Sequence, residues 1–204
     1  MKNLLFAFIV TFIFMSFGFV KPILKGEETY KVIPGETNIV WVGKKYGGGH
    51  SGTIQLSEGF ITMNKSKLVG GSFEFDMKSI IVSDLKDPNY KLKLTNHLKS
   101  PDFFDVEKFP TAKFIVTESR KINKNQFAVT GDLTVKGITK VISFPIFVSV
   151  ADNGNALAVV SSKFKIDRTQ FDIKYNSATF FPNIADKAIN NDFEIEITQM
   201  VARK

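Results

Sequence analysis

The feature that most constrains this sequence is a two-residue rhythm that recurs along most of its length. Between residues 126 and 135, Phe127, Val129, Gly131, Leu133 and Val135 alternate with Ala128, Thr130, Asp132 and Thr134. Residues 67–77 repeat the pattern, with Val69, Gly71, Phe73, Phe75 and Met77 on one parity. Successive side chains of an extended chain point to opposite faces, so this period describes strands that are dry on one side and wet on the other. Further runs lie at 28–32, 38–46, 50–57, 60–64, 80–82, 111–118, 138–150 and 156–166, and Phe193, Ile195 and Ile197 close the series. In 138–150 the dry parity is Ile142, Phe144, Ile146, Val148 and Val150, and Pro145 asks for an edge, a bulge or a place on the wet face. In 156–166, Ala158, Val160, Phe164 and Ile166 share a parity.

Short turn signals separate these runs: Pro34-Gly35, Glu58-Gly59, Lys136-Gly137 and Asp152-Asn153-Gly154-Asn155. Short turns join antiparallel neighbours. Eight or nine such strands predict an all-β fold, an antiparallel barrel of about eight strands whose closure leaves no exposed edge. A two-sheet sandwich uses the same alternation and stays open as the alternative.

The rhythm breaks once, over residues 88–107. Asp87-Pro88 starts a helix on which Tyr90, Leu94, His97 and Leu98 share a face. Ser100-Pro101-Asp102 offers a second helix start, and Phe109-Pro110 a stop. The adjacent rings of Phe103 and Phe104 cannot both hide on one narrow helical face, so this insertion reads as a lid on an apolar container or as a loop stapled to the core. The 21 Phe supply rings to nearly every strand. Interiors are normally close-packed, yet Gly71, Gly131 and Ala112 share the dry parity with the large side chains, which favours a hollow.

Chemistry finds few groups to work with. There is no Cys, no Gly-x-Ser-x-Gly and only two His, so disulfides, thiolate chemistry and a nucleophilic triad are excluded or unsupported, and no catalytic residue is assigned. His50 and His97 would need Asp84 or Asp132 to make a metal site, and no metal is expected. The Asp102/Asp105 pair is explained by charge bias at a helix start. Nucleic acid is not an expected partner, because the lysines alternate with inward-facing residues rather than with exposed rings. The net charge of +7 fits an anionic membrane surface or a solvated exterior. Lys2, the apolar run 4–15 and Ser16-Phe17-Gly18 have the form of a secretory signal peptide spanning residues 1–18, with a retained anchor as the second reading. An exported, Lys-rich chain without Cys points to a bacterial periplasm.

Several stretches, in order, resemble the YceI-like family of lipocalin-like periplasmic barrels associated with polyisoprenoid binding. They are Trp41-Val42-Gly43-Lys44-Lys45 with His50-Ser51-Gly52, residues 70–77 (GGSFEFDM) with Ser79-Ile80, 97–105 (HLKSPDFFD), 109–114 (FPTAKF), 131–140 (GDLTVKGITK) and Asp167-Arg168-Thr169. The resemblance implies that residues 19–204 form one eight-stranded antiparallel barrel with an elongated apolar pore and a helical insertion. It also implies a long isoprenoid or similar amphipathic lipid as ligand, and no cofactor beyond such a lipid is expected. The departures are Asp172, where a glycine is expected, and an early His that follows a glycine triplet.

On this reading the tail lies along Phe73, Phe75, Phe127, Leu133, Phe144 and Phe164, and Leu94, Phe103 and Phe104 close one side. His50, His97 and Arg168 are the candidates for polar contacts. Peripheral membrane contact and a homodimer through an exposed apolar rim are the further partners. The competing readings are an enzyme acting on an isoprenoid or quinone with His97 or Asp132 as acid/base, and a filled barrel that acts through its surface in an envelope or stress complex.

Overall fold

The computed structural model describes residues 26–204, so the expected leader at 1–18 lies outside the described residues. The strands are β1 (Glu27–Val32), β2 (Asn38–Lys45), β3 (Gly48–Asn64), β4 (Lys67–Val82), β5 (Thr111–Lys121), β6 (Gln126–Val135), β7 (Ile138–Ala151), β8 (Ala156–Ser161), β9 (Phe164–Asp167) and β10 (Ile189–Arg203). The helix α1 (Pro88–Lys99) lies between β4 and β5. Neighbours pair antiparallel from β2 round to β8, and both β2 and β8 pair with β10, which closes a ring of eight. The barrel expected from the alternation is therefore the observed architecture, and the sandwich is not.

Ten strands fill eight places because two places are shared. The turn at Pro34–Glu36 divides β1, which pairs with the end of β3, from β2, which pairs with its start. In the same way β8 pairs with the end of β10, while β9 pairs with Asp192–Ile195 near its start. The first half of β7 has no ladder neighbour on its β9 side among the described residues, and the seam is bridged inside by Phe144 and Phe164, stacked with centroids 4.0 Å apart. Pro145 sits on the wet parity one residue beyond the last β7–β8 pair, Ile146 with Ser161. A proline is tolerated where the ladder asks for no N–H.

The two ends differ. The β2–β3 and β6–β7 turns, α1 and the long connection 168–188 gather at one end, called here the lid end. The opposite end is plugged by Tyr30, Val32, Met63, Phe127, Val148 and Leu157, all buried. The Tyr30 hydroxyl fastens that plug to the β7–β8 turn by donating to the Gly154 carbonyl at 2.8 Å.

Several expectations from periodicity need correction, each for a local reason. Glu58-Gly59 is not a turn, because β3 runs through it with a register slip between Leu56 and Glu58. Val69 is exposed rather than dry: Thr62 pairs with Gly70 and Met63 with Leu68, so Val69 is the extra residue of a bulge and Leu68 turns inward. In β8 the parity is opposite to expectation. Leu157, Val159 and Ser161 face in, Ala158 and Val160 face out, and the break at Ser162-Lys163 resets the count so that Phe164 and Ile166 face in. Val150, at the end of its hairpin, is exposed.

The lid also departs from expectation. Asp87 caps α1 by accepting from the N–H groups of Asn89 and Tyr90 at 2.8 and 3.1 Å, with Pro88 in the first turn. The stripe turned to the barrel is Leu94, Thr95 and Leu98, and Thr95 accepts from the Val82 N–H at 3.2 Å. Tyr90 is exposed and does not share that face. The chain after Ser100 makes turns rather than a second helix. Ser100 caps the end of α1, its hydroxyl donating to the His97 carbonyl at 2.8 Å, so it is not the start expected of it.

Candidate functional site

The inward faces do not meet in the middle. They enclose a cavity of about 250 Å³ that runs from Leu68 and Met200, above the plug, to Lys44, His50, Arg168 and Asn190 at the lid end. Its wall is a belt of rings. Phe73 stacks with Phe114 at 6.4 Å, Phe114 meets Phe144 at 5.3 Å, and Phe144 stacks on Phe164. Two glycines of the inner wall seat such rings. A Cβ at Gly131 would lie 2.7 Å from the Phe114 ring and against the Ile115 carbonyl, and a Cβ at Gly52 would lie 2.5 Å from the Trp41 ring and against the Ile81 carbonyl. The small residues of the dry parity thus give their space to neighbouring rings, and the hollow lies inside the belt.

Of the apolar residues assigned from sequence, Phe73, Phe75, Leu133, Phe144 and Phe164 line the cavity wall, and Leu94, Phe103 and Phe104 line it from the lid. Phe127 is a correction. It faces inward but belongs to the plug, because it lies at the start of β6, opposite Lys121 and Ile146, below the floor of the cavity. Trp41 is a lining residue that periodicity could have identified, since it shares its parity with Ile39 and Gly43, which also line the wall.

The polar candidates differ from one another. His50 lines the mouth, and its Nδ1 lies 3.0 Å from an Asp84 oxygen whose partner oxygen accepts from the Ser51 N–H at 3.1 Å. Burial alone would raise the Asp84 pKa, but the Ser51 and His50 hydrogen bonds outweigh it and hold the carboxyl below its ordinary value. His97 does not line the cavity. Its Nε2 pairs with Asp102 at 2.9 Å and its ring packs edge-on against Phe103 and Tyr175, at 5.1 and 4.7 Å, so it braces the turn 100–109 against α1.

Arg168 lines the mouth yet is only 4% exposed. Its guanidinium donates to the carbonyls of Ile173, Asn190 and Ile189 at 2.8, 3.0 and 3.1 Å, which ties both ends of the connection 173–190 together. Burial pushes its pKa below the ordinary value, partly offset by Asp167. The neighbouring Asp172 adopts φ 59°, the left-handed region that glycine enters most easily, and pairs with Lys174 at 2.6 Å. Among the described residues no cluster of three or more His, Asp or Glu is placed to hold a metal ion.

An eight-stranded barrel with a capped apolar interior is the architecture of a lipocalin-like protein. The chain belongs to the YceI-like domain family, whose model matches residues 30–200. In fold it is similar to Burkholderia cenocepacia BcnA, with a TM-score of 0.65 and 21% identity over 84% of this chain and 99% of that one. It is also similar to a polyisoprenoid binding domain from Saccharophagus degradans implicated in plant cell wall breakdown, at TM-score 0.61 and 11% identity over 85% and 97% of the two chains. Among curated relatives, a UPF0312 protein of Pseudomonas putida (strain GB-1) is 32% identical over 93 residues, 46% of each chain. The chain thus spans about half the length of the curated relatives it matches.

Proposed function

We propose that this protein is an exported binding or carrier protein that holds a long isoprenoid, or a similar amphipathic lipid, inside its barrel. The observation that carries this reading is the length and composition of the cavity. Its lining on β10 reaches from Ile189 to Met200, roughly 36 Å of extended strand and about 28 Å along the axis at the usual barrel tilt. A hollow of about 250 Å³ spread along such a path suits an extended chain better than a compact ring system. Each Å² of apolar surface removed from water would contribute about 25 cal/mol, while the mouth, with His50 and the lysines, would meet the head group. The polyisoprenoid binding domain among the structural neighbours supports the choice of ligand class. A leader at residues 1–18 and a periplasmic location belong to the same reading.

The enzymatic reading is weaker on geometry. His97 is absent from the cavity wall, and Asp132 lies on the outer face of β6 between Ile115 and Val141.

Trp41, the only Trp, reports directly on the hollow. Titration with a long prenyl alcohol is expected to give a saturable blue shift of its emission as water leaves the cavity. An emission spectrum unchanged up to the solubility limit of the alcohol would count against the proposal.

A further inference from the structure

The lid end carries a surface that the binding of a ligand does not require. Tyr46, at the β2–β3 turn, is 79% exposed and Tyr90, on α1, is 66% exposed; Leu92, Phe180 and Phe181 are exposed as well. The turns at the opposite end, Lys65-Ser66, Asn123-Lys124-Asn125 and Asp152-Asn153-Gly154, present no ring. The two most exposed rings among the described residues, Tyr46 and Tyr90, both stand at this end, around the opening of an apolar cavity, whereas the exposed rings toward the other end, Phe60 and Phe147, are less so, at 43% and 36%.

Positive charge accompanies these rings, although the far end is basic too, with Lys65, Lys67, Lys121 and Lys124. Tyr90 and Leu92 alternate with Lys91 and Lys93, with Lys86 just before α1 and Lys99 at its end, and α1 itself contains no Asp or Glu. Three of the nearby acids are engaged, Asp102 with His97, Glu107 with Lys78 at 3.1 Å, and Asp172 with Lys174. Lys174 also lies 5.2 Å from the centre of the Phe180 ring. Aromatic rings interleaved with lysines suit the boundary between head groups and acyl chains, where the ring enters the apolar edge and the ammonium meets lipid phosphate.

We propose that the lid end docks on an anionic lipid bilayer, with the outer face of α1, Tyr46 and Phe180-Phe181 at the interface and the mouth of the barrel against the membrane. This goes beyond the cavity reading, since such docking needs no ligand in the barrel, and each can fail without the other.

The test places a fluorescent reporter at each end in a Trp41→Phe background of the full chain. Tyr90→Trp reports from the lid end, and Ile122→Trp from the far end. Both sites are exposed, so neither change threatens the core. With phosphatidylglycerol vesicles brominated in the acyl chain, the Trp at position 90 is expected to lose most of its emission and the Trp at 122 to keep it. Replacing Lys86, Lys91 and Lys93 by Gln should weaken vesicle binding on the order of 100-fold, from about five-fold per lysine near an anionic surface. Equal quenching at both ends, quenching at neither, or equal quenching by brominated phosphatidylcholine would overturn the proposal. The Trp41 titration with a soluble prenyl alcohol reads the cavity separately.

Discussion

Arg168→Ala is expected to destabilise the protein by about 3–5 kcal/mol, the cost of breaking up a buried charged hydrogen-bond cluster. The loss has a specific source. Three backbone carbonyls, those of Ile173, Ile189 and Asn190, depend on one guanidinium that is almost fully buried. Removing it leaves acceptors that water cannot easily reach and frees the connection that borders the mouth. Arg168→Lys should recover only part of the loss, because a single ammonium cannot span the planar fork that meets all three. Chemical denaturation checks this: the midpoint should fall markedly with little change in slope. A midpoint within error of the parent protein would show that the clamp does not bear on folding.

The second large effect is expected at Gly131. Gly131→Val should cost about 3 kcal/mol, the upper part of the usual range for overpacking. Its new side chain would meet two obstacles of different kinds. The Phe114 ring is hemmed in by Phe73 and Phe144, and the Ile115 carbonyl belongs to the β5–β6 ladder and cannot yield without breaking it. Gly35→Ala is the control, because a Cβ there has no neighbour within 4 Å, and it should fall within roughly 0.5 kcal/mol of zero. Similar midpoints for the two variants would mean that the ring belt is not seated as described.

These positions show what was legible in the sequence and what was not. β6 reads without error because it pairs along its whole length with β7, and with a single slip along β5, so its residues alternate buried and half-buried throughout. Counting by two fails wherever a strand contains an extra residue or a break. At Val69 a bulge shifts the parity, and at Ser162-Lys163 a two-residue gap inverts it for everything upstream. Neither leaves a mark in hydrophobicity, since Val69 and Val160 are at least as apolar as Gly71 and Ala158, two places along from them.

The site was legible to the same degree. Strand parity and the unusual lid residues identified most of the cavity wall. Alternation carries no information on depth along the barrel, so parity alone puts Phe127 with the lining rather than with the plug. His97 and Arg168 suggested ligand contacts because a polar side chain near a mouth has no visible partner in a linear sequence. In the fold both partners are close: Asp102 for one, three carbonyls for the other. Tyr90 illustrates the converse, since helical spacing cannot distinguish a ring that packs inward from one displayed to solvent.

The central claim is that the barrel interior accommodates an oily chain, and native mass spectrometry of the protein isolated gently from its own host tests it most directly. The account predicts an adduct whose mass, after extraction, matches a prenyl or acyl lipid, and its loss when the cavity-lining Leu133 is replaced by Trp. Protein that is uniformly free of lipid under those conditions, and that stays free when long-chain prenyl alcohols are supplied, would contradict it.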